Sequence, residues 1–257
     1  MQSSIHIARD PAVHYLLRLG DTCLILGQRI AEWCGHGPIL EEDIALTNMA
    51  LDLIGQSRAV LSRVGQLGGQ NYDEDQLAFL RDERDYRNPT LVELPRGDFA
   101  FTVLRNVMVA TLLKLLWERL QESSDEEVSA IAGKAIKEAR YHQQHAADWV
   151  VRLGDGTEES RARCGVALAT LWRYVPEFFV ADAVDEQAQT TGLGPSWHVL
   201  EASWREEMDA ILSAAELQVP EASKFLSTGK QGVHSEHMGY LLAEMQTLQR
   251  SFPGGVW

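Results

Sequence analysis

The side chains best placed to do chemistry lie on two stretches of helical spacing. Glu138, His142 and His145 fall at i, i+4 and i+7, and Asn48, Asp52 and Gln56 recur every four residues. Residues three and four apart share one face of a helix, so each set points one way. Carboxylates and imidazoles converging from such faces form the donor set of a di-metal centre in a helical bundle. That centre takes a Glu from each of two helices and a Glu-x-x-His from each of the other two. The pattern is absent here. The positions three before the histidines hold Ser3, Pro11, Trp33, Ala139, His142, Pro195, Gln231 and His234, none of them acidic. No acid stands between Asp98 and Glu118, or between Asp21 and Glu32, where bridging carboxylates would be needed.

Two readings of the polar rows follow. One is a non-standard or degenerate metal site at Asp52, Glu138, His142 and His145. The other, which is preferred, is a buried hydrogen-bond and ion-pair network, with Arg105, Asn106, Lys114, Lys134, Lys137 and Arg140 as candidate partners. If Glu138 is ion-paired in the core, removing it should cost about 3–5 kcal/mol. The cluster His234-Ser235-Glu236-His237 has helical ligand spacing but fits a helix entry with Ser235 at the cap. Cys23, Cys34 and Cys164 have no paired histidine signature and are expected to be packing residues. His36, between Gly35 and Gly37, sits at a helix stop rather than in a phosphate cradle. The aromatic cluster Trp172, Tyr174, Phe178 and Phe179 is expected in the core, with a partner surface as the alternative.

Helical periodicity positions all of these groups. Helices are expected at about 14–34, 41–66, 99–121, 126–153, 158–189, 197–215 and 235–251. The segment 70–97 reads as an irregular, charged excursion with one short helix. Asp98 can cap the third helix, whose middle, FTVLRNVMVATLLKLLW, is apolar nearly all round and therefore central. Ser123 and Ser124, followed by Glu126 and Glu127, offer capping boxes for the fourth. Pro176 should kink the fifth. The whole reads as one all-α domain over residues 1–257, a four-helix bundle with additional helices.

The 257 residues carry 37 Asp+Glu against 23 Lys+Arg, a net charge of −14. An acidic chain suits neither nucleic acid nor an anionic membrane, both of which need clustered cations. No apolar run is expected to reach the roughly 20 residues that span a bilayer. The opening MQSSIHIARDPAV lacks a leader-like apolar stretch, and three isolated cysteines suit a reducing compartment, so a cytoplasmic location is expected.

The strings LRLGDTCLILGQRIAEWCGHGP, LDLIGQSR, LAFLRDERDYRN, KAIKEARYH, VRLGDGT, LWRY and HSEHMGYLLAEMQTLQR closely resemble the C-subunit (PaaC) family of the bacterial ring 1,2-phenylacetyl-CoA epoxidases. The likeness runs in order from about Tyr15 to Trp257. It implies a ferritin-like fold within the multicomponent monooxygenases. It implies a structural subunit without catalytic, cofactor or metal residues, paired with an A subunit that holds the di-iron centre, alongside B and other subunits. A reductase subunit with flavin and an iron–sulfur cluster supplies electrons from NADPH. The assembly is a hetero-oligomer, with a homodimer as the option for the isolated chain. Val107, Met108 and Val109 would then fill space that a catalytic relative gives to an acid.

Overall fold

The computed structural model describes residues 4–221 and 223–255. In chain order its helices are α1 (Pro11–Ala31), α2 (Leu40–Leu67), α3 (Glu74–Phe79), α4 (Thr90–Glu93), α5 (Phe99–Leu120) and α6 (Glu126–Gly154). They continue with α7 (Glu158–Trp172), α8 (Pro176–Phe179), α9 (Ala183–Thr191), α10 (Glu201–Ala214) and α11 (Glu236–Ser251). Among the described residues there is no strand, only an isolated bridge between Thr228 and Val233. The all-α class expected from periodicity is therefore observed. The sequence suggested one domain over 1–257. The packing groups the chain into two compact units, one up to Pro95 and from Ser227 onward, the other Arg96–Leu226.

In the first unit α1 and α2 form the long pair. Asp10 caps α1 by accepting from the Ala12 N–H at 2.7 Å, and Pro11 needs no partner at the first helical position. Gly20 and Gly27, one heptad apart, let α2 come close. A Cβ on either would stand 3.2 Å from Leu61 or Ile54. The excursion at 70–97 is more ordered than expected. It holds α3, whose Asp73 and Gln76 form a capping box, then a 3₁₀ turn at Glu83–Asp85 and α4. The buried face of α11 is also displaced from the expected Met238-Leu241-Met245-Leu248 row. Leu242 and Gln246 are buried instead, and Leu248 is exposed. A buried glutamine was unexpected because its amide needs partners that only the fold supplies.

In the second unit α5 is central, as expected, and packs against α6, α7 and α10. Val107, Met108 and Val109 are all buried. The Asp98 carboxylate accepts from the Phe101 N–H at 2.9 Å, so that cap is as expected. At α6 the cap is Asp125, which accepts from the Glu127 and Val128 N–H groups, rather than Ser123 or Ser124. The two serines bond to the Leu193 and Thr191 carbonyls instead. The sequence also offers Ser196 as the cap of the sixth helix, but its side chain makes no cap bond, and a 3₁₀ turn at Trp197–Leu200 leads into α10. Pro176 does more than kink: the expected helix over 158–189 is three separate helices, α7, α8 and α9. Proline has no N–H to extend the ladder and serves at the first position of α8. Trp172, Phe178 and Phe179 are core residues, with their rings 5.6, 6.3 and 5.5 Å from that of Trp204.

One sequence expectation does not hold. The helix Phe99–Leu120 is by length and composition apolar enough to cross a bilayer, with a mean hydropathy of 1.6 over its best window. That window is 78% buried inside the protein. Its neighbouring helices take the place of lipid.

Candidate functional site

The residues singled out for a metal site fall in both units. Asp52 belongs to the first unit, on α2, and is half-buried; its row is broken because Asn48 points to solvent while Gln56 is buried. Glu138 and His145 are half-buried on α6 of the second unit, and only His142 is buried. The Tyr141 ring lies 6.1 Å from His142 and 6.0 Å from His145. Among the described residues no group of three or more His, Cys, Asp and Glu side chains could hold a metal ion. These donors therefore do not fit a di-iron centre. Of the six expected partners, Lys114 pairs with Glu207 and Arg140 with Glu118, Lys134 and Lys137 are exposed, and Arg105 and Asn106 are buried on α5. Glu138 is not a core residue, so the large penalty attached to a core acid does not apply to it.

The buried ionic site lies elsewhere, in the first unit. Asp21 on α1 and Arg81 after α3 form an ion pair with both side chains 0% exposed. The pair is a two-pronged fork. Arg81 Nη2 donates to Asp21 Oδ1, and Nη1 donates to Oδ2 at 2.9 Å. The Arg87 backbone N–H adds a third bond to Asp21, at 2.8 Å. Arg81 also donates to the Leu77 and Asp85 carbonyls and lies 4.1 Å over the Tyr86 ring. Burial opposes its charge, but Asp21 outweighs burial and raises the Arg81 pKa. Burial pushes the Tyr86 hydroxyl up to about 12, so it stays a donor, to the Ala78 carbonyl. From α11, Gln246 donates to the Arg81 carbonyl and to the Tyr86 oxygen, and Arg250 donates to the same carbonyl.

A second polar knot adjoins it. Glu93 accepts from the Asn88 side chain at 3.0 Å and from the Ser235 backbone N–H. The His234 Nδ1 is 2.7 Å from Glu93 Oε2, and its Nε2 is 3.2 Å from the Tyr86 carbonyl. Arg29 grips the Glu93 and His237 carbonyls. Both His234 nitrogens face oxygen acceptors, so the charged ring satisfies both. Burial works against that charge, but the bond to Glu93 and its negative charge prevail, and the pKa is raised above 6.5. A raised histidine pKa contributes stability that is complete below the ordinary value and is lost as pH climbs through the raised one. The melting temperature should therefore fall as pH rises past the ordinary histidine value of about 6.5, and His234→Gln should flatten that slope in a calorimetric series. His234 and His237 share no ligand, and Ser235 caps α11, as the sequence suggested.

In the sequence RDERDYRNP reads as part of an irregular, charged excursion, which hides this site. One signal was available: Asp21 is the lone acid within the otherwise apolar middle of α1.

The remaining candidates are simpler. His36 is exposed in the turn after α1, with its Nδ1 3.1 Å from the Cys34 carbonyl. There the Asp43 carboxylate accepts from the Gly37 and Gly35 N–H groups, which hold its pKa low. Cys23 and Cys164 are packing residues, but Cys34 is exposed, because it lies beyond the last buried turn at Trp33. Burial pushes the Cys164 thiol up to about 11. Maleimide at pH 7.5 should label Cys34 alone in the native chain. Mass spectrometry of the peptides checks this, and rapid labelling of Cys164 would contradict it.

Three of the distinctive strings thus come together in the first unit: LAFLRDERDYRN and HSEHMGYLLAEMQTLQR build the two knots with Asp21 and Arg29 of the first string. Across known proteins, the chain is 47% identical over 243 residues to the C subunit of the 1,2-phenylacetyl-CoA epoxidase of Escherichia coli (strain K12). That match covers 95% of this chain and 98% of the relative. Residues 1–257 match the family described as phenylacetic acid catabolic protein, and the chain belongs to that family.

Proposed function

We propose that this chain is a non-catalytic structural subunit of a 1,2-phenylacetyl-CoA epoxidase, paired with a di-iron A subunit in aerobic phenylacetate catabolism in the cytoplasm. The observation that carries this reading is its near full-length kinship to the C subunit of such an epoxidase. The residues support it. There is no Glu-x-x-His, and α5 fills its middle with Val107, Met108, Val109, Leu112 and Leu116, all buried. A bundle that has given up metal ligands must occupy those positions with apolar or paired side chains, since an uncompensated buried charge is costly. Iron then resides in the A subunit, and flavin and the iron–sulfur cluster in the reductase, so this chain brings rigidity and surface rather than a cofactor.

The test is iron analysis of the purified chain beside its complex with the A subunit, with turnover of phenylacetyl-CoA followed in both. The chain alone should bind iron far below stoichiometry and form no epoxide. Near-stoichiometric iron that disappears in Glu138→Ala would instead support an active di-metal oxygenase using Asp52, Glu138, His142 and His145.

A further inference from the structure

We infer that the outward stripe of α2 formed by Leu40, Ile44 and Leu51 seats one helix of the partner subunit, a helix apolar along one side and carrying Lys or Arg along its flanks. This rests on the functional reading above and adds to it the docking face and the chemistry of what docks there.

The three side chains are 72%, 52% and 61% exposed. At 100° per residue they fall within about 40° of one another around the helix axis. Ile39, at the N-cap, is 51% exposed and extends the patch. An amphipathic helix has one apolar face, and the inward face of α2 is already spent on Leu46, Met49, Leu53, Val60 and Leu61. Among the described residues of the first unit nothing covers this second apolar stripe.

Gly55 is an independent indication. It continues the stripe, is exposed, and a Cβ added to it would meet nothing within 4 Å. Glycine inside a helix is unfavourable relative to alanine, and nothing among the described residues requires it there. A backbone approaching from outside would. From Leu40 to Gly55 the stripe runs roughly 22 Å, the length of a helix of about four turns.

The flanks choose the occupant. Glu41 lies along one edge and Asp43 on the other. Arg58, the cation that follows along the stripe, is taken up by Glu74 at 2.8 Å. With a net charge of −14, a second copy would bring like charges together, whereas basic flanks would be attracted.

Binding of the purified chain to the purified A subunit, followed by sedimentation and interferometry, tests this. Ile44→Glu with Leu51→Glu changes only exposed positions, so the circular dichroism melt should be unchanged while affinity falls about 100-fold. Gly55→Leu should raise the stability of the isolated chain yet weaken binding about tenfold, a pairing that a purely structural role would not produce. Glu41→Lys should weaken binding at low salt and lose that effect at high salt. Full affinity in the double variant overturns the inference while leaving the subunit reading intact. A wild-type chain that fails to bind the A subunit overturns the subunit reading itself. A stripe that mediates dimerisation of this chain, with the double variant monomeric but still binding the A subunit, assigns the face to a second copy and also overturns the inference.

Discussion

Asp21→Ala should destabilise the protein by about 3–5 kcal/mol, read from urea unfolding, because it strands the Arg81 guanidinium, whose side chain is 0% exposed. The charge itself, rather than the lost contact, sets that size. Arg81 cannot shed its proton at accessible pH, since Asp21 raises a pKa that is already high. Removing both charges, as in Asp21→Leu with Arg81→Met, should recover most of the loss. It should not recover all of it. The Arg87 N–H and the Leu77 and Asp85 carbonyls also depend on this pair, so a residual cost of about 1–3 kcal/mol is expected. A double variant as unstable as the single one would mean that packing, rather than charge, governs the site.

Trp204→Ala is the matching expectation for the second unit, at about 3–5 kcal/mol. The indole is wholly buried against Trp172, Phe178 and Phe179, and its N–H donates to the Met108 carbonyl at 2.9 Å. It thereby anchors α10 to the centre of α5. Trp204→Phe separates the two contributions. It keeps much of the ring and loses the donor, and should cost about 1–2 kcal/mol. Near-UV circular dichroism should follow the loss of the aromatic cluster in the alanine variant and largely survive in the phenylalanine one.

Much of the fold was legible before any coordinates. The long helices, the cap at Asp98, the turn glycines after α1 and the central, all-round apolar α5 follow from period and from local hydrogen-bond chemistry. Where competing caps stood side by side, as at Ser123, Ser124 and Asp125, the choice went to tertiary partners: the serines are used by the loop after α9. The break at Pro176 was legible as a defect, though its completeness was not.

The missing Glu-x-x-His was decided by residue order alone, because ligand spacing on a helix is a local property that no packing can restore. Which charges the fold would bury was decided by tertiary structure alone. Asp21 meets Arg81 sixty residues on, and Glu93 meets His234 at a separation of 141. A charged side chain is stable without water only where distant segments bring it a complete set of partners, and periodicity carries no information about which segments those are. For the same reason, the acids and imidazoles that stood out along α2 and α6 are, His142 apart, only half-buried, while Arg81, Tyr86 and Asn88, from a segment that reads as an irregular, charged excursion, lie in the buried polar knots of the first unit.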